Sequence, residues 1–69
     1  MGLVGYIEAL LEEYKKEGVA AVKLKDLVAI VVRDKQVLPQ SVYNAIKTLE
    51  LQGKVEIKGN RRNKIVIIK

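Results

Sequence analysis

The sequence predicts an α+β fold: three helices and a small antiparallel β-sheet, in the order helix, strand, helix, helix, strand, strand. Three observations carry this. Apolar residues recur at i, i+3, i+4, i+7 in three stretches, which is the buried stripe of a helix. Around Val22 and again after Gly53, apolar and charged residues alternate with the period of two that belongs to strands. Gly18, Pro39 and Gly53 fall where helices of that pattern would stop, start and stop.

The first helix is expected over Leu3 to Glu17, with Leu3, Val4, Ile7, Leu10, Leu11 and Tyr14 as its apolar stripe. Glu12 and Lys16 are spaced as an i, i+4 pair, and Lys15 and Lys16 suit the negative end of the helix dipole. Gly18 stands at the position that follows the cap. Val19 to Leu24 reads as one brief strand, Val22 and Leu24 alternating with Lys23 and Lys25.

Leu24 to about Lys35 carries two opposed signals. Leu27 to Val32 is an unbroken apolar run rich in β-branched residues, which propensity alone assigns to a strand. Leu24, Leu27, Val28 and Val31 nevertheless match the helical stripe, and the next segment is a helix that needs a partner, so helix is expected. Ile30 and Val32 flank that stripe, either as a wide core face or as dimer contacts. Asp34 to Leu38 is the connecting turn.

The third helix runs from Pro39 to about Gln52, with Val42, Ala45, Ile46 and Leu49 inward. Proline suits a first helical turn because its missing N–H has no partner there. No Ser, Thr, Asp or Asn precedes it as a cap. Lys54 to Lys69 is a hairpin. Val55 and Ile57 alternate with Lys54, Glu56 and Lys58 in its first arm, Gly59 to Asn63 form the tip, and Ile65 to Ile68 form the second arm. That second arm is apolar on both faces, as a central strand between the first arm and the strand near Val22 would be.

A chain of 69 residues fits one domain, residues 1–69, and buries only about 60% of its unfolded surface. It has no cysteine and no histidine, so disulfides and Cys/His zinc sites are ruled out. A dense aliphatic core must compensate, and 49% of the residues are hydrophobic. The richness in Lys, Glu, Ile and Val resembles hyperthermophile composition. No run approaches the ~18 apolar residues of a membrane span, and no signal-peptide layout is present, so a cytoplasmic location is expected.

The net charge of +5 is one-ended. Residues 1–53 carry seven Lys/Arg and seven Asp/Glu, whereas residues 54–69 carry six Lys/Arg against Glu56 alone. An anionic partner at that end is implied.

On a helical wheel, Gln40, Asn44, Lys47 and Leu51 lie about 140–200° from Val42, opposite the buried stripe, with Tyr43 and Thr48 on the shoulders. Such a face suits the DNA major groove. Gln and Asn match adenine, and Lys reaches guanine or phosphate. Ser41, Tyr43 and Thr48 suit phosphate or sugar contacts. In the hairpin, Lys58, Arg61, Arg62 and Lys64 crowd a tip of Gly59, Asn60 and Asn63. An arginine pair there can follow phosphates or enter a narrow A·T-rich minor groove. Glycine and asparagine tolerate the positive φ a tight tip needs.

The stretch SVYNAIKTLELQGKV, Ser41 to Val55, resembles the recognition-helix-to-wing segment of winged helix-turn-helix transcriptional regulators of the MarR and PadR type, of archaeal or thermophilic kind. Ser41, Val42, Tyr43, Ile46, Leu49, Glu50, Gly53 and Val55 match its pattern in place. Leu51 stands where a charged residue is usual and Lys54 where a leucine is usual, and the dimerisation helices that many such regulators carry after the wing are not expected here. The resemblance implies a winged helix-turn-helix fold and sequence-specific binding of double-stranded DNA, with residues 39–52 reading the major groove and residues 54–69 gripping the backbone or minor groove. The alternatives are a winged-helix module that docks another protein and a nonspecific architectural DNA binder.

A single module has a small footprint, so specific binding gains from a homodimer. Helix 1, or exposed residues of the second helix and last strand, are the candidate interfaces. Catalysis is not expected. The commonest base and the thiol nucleophile are missing, Ser41 has no base partner, and no phosphate loop or metal-ligand cluster occurs. Neither cofactor, metal nor small-molecule substrate is expected, and no membrane partner.

Overall fold

The computed structural model describes residues 2–69. The elements are α1 (Leu3–Lys16), β1 (Ala21–Lys23), α2 (Leu24–Lys35), α3 (Pro39–Leu51), β2 (Val55–Gly59) and β3 (Lys64–Ile68). The strands form one antiparallel sheet in the order β1-β3-β2. The doubly apolar β3 is therefore central, as its composition requires. Val22 faces Val66 across one pairing and Ile57 faces Val66 across the other, so these three side chains share the inner face of the sheet.

The core is aliphatic throughout. Ile7 and Leu11 of α1, Leu24, Leu27, Val28 and Val31 of α2, Val42, Ala45, Ile46 and Leu49 of α3, Val55 of β2 and Val66 of β3 are all buried. Among the described residues no polar or charged side chain is buried, so no ion is desolvated to make this core. The β-branched run of α2 is helical because Leu24, Leu27, Val28 and Val31 bury together on one side. A strand would have sent half of them outward. Val32 packs at the core margin, and Ile30 is half-buried.

The expected strand over Val19 to Leu24 is shorter than the alternation suggested. Leu24 and Lys25 already belong to α2, whose N-cap is Lys23. Burying Leu24 under the helix outweighs extending a strand by one residue. Glu12 and Lys16 make no ion pair; instead the Lys15 ammonium donates to the Lys69 carbonyl at 3.1 Å, and Lys54 pairs with Glu8.

Both glycine stops close helices in the same way. Gly18 N–H donates to the Lys15 carbonyl at 3.0 Å, and Val19 N–H to the Tyr14 carbonyl at 2.8 Å. Gly53 N–H donates to Glu50 at 3.0 Å, and Lys54 N–H to Leu49 at 3.0 Å. This double bond pattern places the glycine in left-handed backbone, at φ 87° and φ 75° respectively. At the second stop it turns the chain from α3 straight into β2. The last turn of α2, just before the link to α3, is held from α1. The Tyr6 hydroxyl donates to Asp34 at 3.2 Å, and the Lys35 ammonium sits 4.4 Å from the Tyr6 ring centre. Burial, and then the bond to Asp34, raise the Tyr6 phenol pKa.

Candidate nucleic-acid interface

Helix α3 begins at Pro39 without a side-chain cap, and Leu38 lies in extended backbone before it. Its stripe of Val42, Ala45, Ile46 and Leu49 is buried, which fixes the rotation of the helix and sends Gln40, Ser41, Tyr43, Asn44 and Lys47 to the exposed side. Gln40 and Asn44 lie one turn apart, and Gln40 Nε2 donates to Asn44 Oδ1 at 3.1 Å. Thr48 is half-buried, and its hydroxyl donates to the Asn44 carbonyl at 3.0 Å. That proton is committed to the helix, leaving Thr48 acceptor capacity, which a phosphate oxygen cannot use.

Glu50 leaves the helix on the wing side. Its carboxylate accepts the Ile57 N–H at 3.3 Å, on the edge of β2 that does not pair with β3. This bond blunts an open sheet edge and ties the wing to the end of α3.

The wing tip is built by Asn60. Its Oδ1 accepts N–H bonds from Arg62 at 3.0 Å and Asn63 at 2.9 Å, an Asx turn. Neither Asn60 nor Asn63 supplies the positive φ expected of them; Gly59 alone does so at the tip, at φ 107°. A Cβ at Gly59 would lie 2.1 Å from the Asn63 carbonyl oxygen, so the hairpin closes only over glycine.

The side chains of Tyr43, Lys47, Arg61, Arg62 and Lys64 line one cleft of about 970 Å³ between α3 and the wing. Two lysines that the sequence pattern does not single out line it as well: Lys23 at the end of β1 and Lys25 in the first turn of α2. Six cationic side chains converge there against one carboxylate, Asp26. Leu24, Ile46, Ile57 and Ile65 are its apolar lining. None of the acids of α1 lines it. Gln40 and Asn44 stand on the same helix outside the cleft wall, and Ser41 and Thr48 lie on the far shoulder of α3.

Lys58, expected with the tip cations, does not line the cleft. Its ammonium pairs with Glu56 at 3.0 Å, and Glu56 also pairs with Lys69 at 3.2 Å. Glu56 and Lys58 are two residues apart on one strand, so they share the outer face of the sheet. The Lys58 bond, followed by the Lys69 bond, holds the Glu56 carboxyl below its ordinary pKa. Arg61, Arg62 and Lys64 make no ion pair among the described residues.

No protein-family model matches the chain, and no curated protein matches it significantly. Among solved structures, the chain is similar to one from a study of the DNA recognition and protein interaction domains of HOP2 and their homologous DNA pairing properties. The TM-score is 0.79 at 20% identity, over 99% of this chain and 100% of that one. The likeness shows the fold, a winged helix-turn-helix with α2 and α3 as the helix pair and β2–β3 as the wing. Among the described residues no helix is long and apolar enough to cross a membrane.

Proposed function

We propose that this winged helix binds double-stranded DNA in a sequence-specific manner, as a non-catalytic transcriptional regulator of a single domain acting in the cytoplasm. The observation that carries the reading is the cleft between α3 and the wing, where cations from β1, α2, α3 and the wing tip converge against Asp26 alone. Such a concentration of one sign attracts a polyanion and neutralises phosphates at several points. Helix α3 lies in the major groove, with Gln40, Asn44 and Lys47 toward base edges and Ser41 and Tyr43 toward the backbone. The tip with Arg61, Arg62 and Lys64 follows the flanking phosphates or minor groove, and Lys23 and Lys25 extend that contact beyond α3. The regulator role rests on the resemblance of Ser41 to Val55 to winged regulators. A homodimer would double a footprint that a single module limits to about 600–1,000 Å².

Titration of a labelled duplex across salt concentrations tests this. Binding that weakens steeply with salt is expected; a folded protein that binds no duplex at low salt overturns the reading.

Glu56 offers a second measurement. Replacing Glu56 by glutamine removes a negative charge from the wing and releases Lys58 and Lys69, so duplex affinity should rise. The salt slope should steepen by up to about two units if both lysines reach phosphate. Unchanged affinity would put the outer face of the wing away from the DNA. The same pairing has a pH signature with a definite sign. The folded-state pKa of Glu56 is lowered, so its contribution to stability is present above the ordinary carboxylate pKa and fades as pH falls through the lowered value.

A second reading, docking of a partner protein, is favoured by one observation. Leu51, on the outward face of α3, is 88% exposed, and Leu38 just before the helix is 73% exposed.

A further inference from the structure

We infer that Gln40 and Asn44 form one base-reading unit, in which Asn44 orients the Gln40 amide to select adenine. The inference rests on the proposed binding of duplex DNA and names what that duplex must present.

Gln40 is the second residue of α3, at the end that comes nearest to base edges when a helix enters the major groove. Both amides are exposed, and neither makes another side-chain hydrogen bond among the described residues. A free glutamine on a helix surface samples many rotamers, and fixing one on binding loses that freedom. The bond from Gln40 Nε2 to Asn44 Oδ1 at 3.1 Å restricts it beforehand.

The bond also sets what remains. Gln40 keeps its Oε1 acceptor and one N–H donor, the pair that matches the N6 amino group and N7 of adenine. Asn44 keeps both Nδ2 hydrogens, while one lone pair of its Oδ1 is taken. Its free side is therefore mainly a donor, suited to O4 of thymine or to N7 and O6 of guanine. The unit presents an acceptor and donor at Gln40, then donors one turn further along the groove. Neither residue is charged, so the unit contributes preference among sequences and leaves the salt dependence to the cations of the cleft.

Selection from a duplex pool with a randomised core tests this, using wild type, Gln40→Ala, Asn44→Ala, the double change and Asn44→Asp. Wild type should enrich adenine at one position by about tenfold to a hundredfold over other bases. Gln40→Ala should abolish that enrichment. Asn44→Ala should reduce it at the same position as well as remove any thymine or guanine preference beside it, and at the adenine position the double change should lose no more than Gln40→Ala alone. Asn44→Asp keeps the acceptor for Gln40 Nε2, so adenine enrichment should survive even as the added charge weakens binding to all sequences. The salt slopes of both single alanine variants should equal that of wild type. Duplex binding without base preference overturns the reading unit together with the sequence specificity and leaves duplex binding itself standing, whereas full adenine enrichment in Asn44→Ala overturns the reading unit alone. A wild-type protein that binds no duplex overturns both.

Discussion

Replacing Arg61 and Arg62 together by alanine should flatten the salt dependence of duplex binding by about two units of log K against log salt, one for each phosphate no longer neutralised. At about 0.1 M salt this corresponds to an affinity loss on the order of tenfold to a hundredfold. The expectation follows from how the tip is built. Its backbone is held by the Asn60 carboxamide and by closure over Gly59, neither of which uses an arginine side chain. Both guanidinium groups are exposed and free of ion pairs among the described residues, so they are available to phosphate. The fold should therefore survive, with stability to thermal unfolding changed by no more than about 0.5 kcal/mol. Lys58→Ala is the internal contrast. Its ammonium is already engaged by Glu56, so its removal should change the slope less than that of either arginine. An unchanged slope in the double variant would take the wing off the DNA.

These contrasts also mark what the sequence could disclose. Helix α3 was legible end to end because its burial, its proline start and its glycine stop are all local signals. The helical state of α2 was legible only through its stripe, since the β-branched run argued the other way and tertiary burial decided it. The basic tip was legible as a cluster along the chain. Lys23 and Lys25 were not, because counting charge along the chain cancels them within the neutral balance of residues 1–53. In three dimensions Asp26 alone of those seven acids lines the cleft, and most of the cancellation disappears. The Glu56–Lys58 pair had a usable signal, the period of two that puts both side chains on one strand face. The bond between Gln40 and Asn44 had the i, i+4 spacing, though spacing alone does not say which partner a surface amide takes.

Leu49→Ala and Leu51→Ala should part by several kcal/mol although they remove the same atoms from the same helix two residues apart. Leu49 is fully buried, beside Leu11 of α1, Val55 of β2 and Ile68 of β3. Its truncation leaves a cavity where these elements meet, at a loss of about 2–5 kcal/mol. Stability near 0.05–0.15 kcal/mol per residue gives a chain of this length only about 3–10 kcal/mol in all. The variant should therefore melt far below wild type or be largely unfolded at 37 °C, as read by circular dichroism. Its duplex binding should fall with the folded fraction and recover on moderate cooling. Leu51 is 88% exposed and touches little, so Leu51→Ala should change stability by less than about 0.5 kcal/mol. It also separates the two functional readings. If Leu51 docks a partner protein, its loss weakens that complex and leaves duplex affinity and salt slope alone. Equal destabilisation by the two substitutions would mean that α3 does not present its Val42–Leu49 stripe to the core. The outward face assigned to Gln40, Asn44 and Lys47 would then lose its basis, since the rotation of this helix is fixed by what it buries.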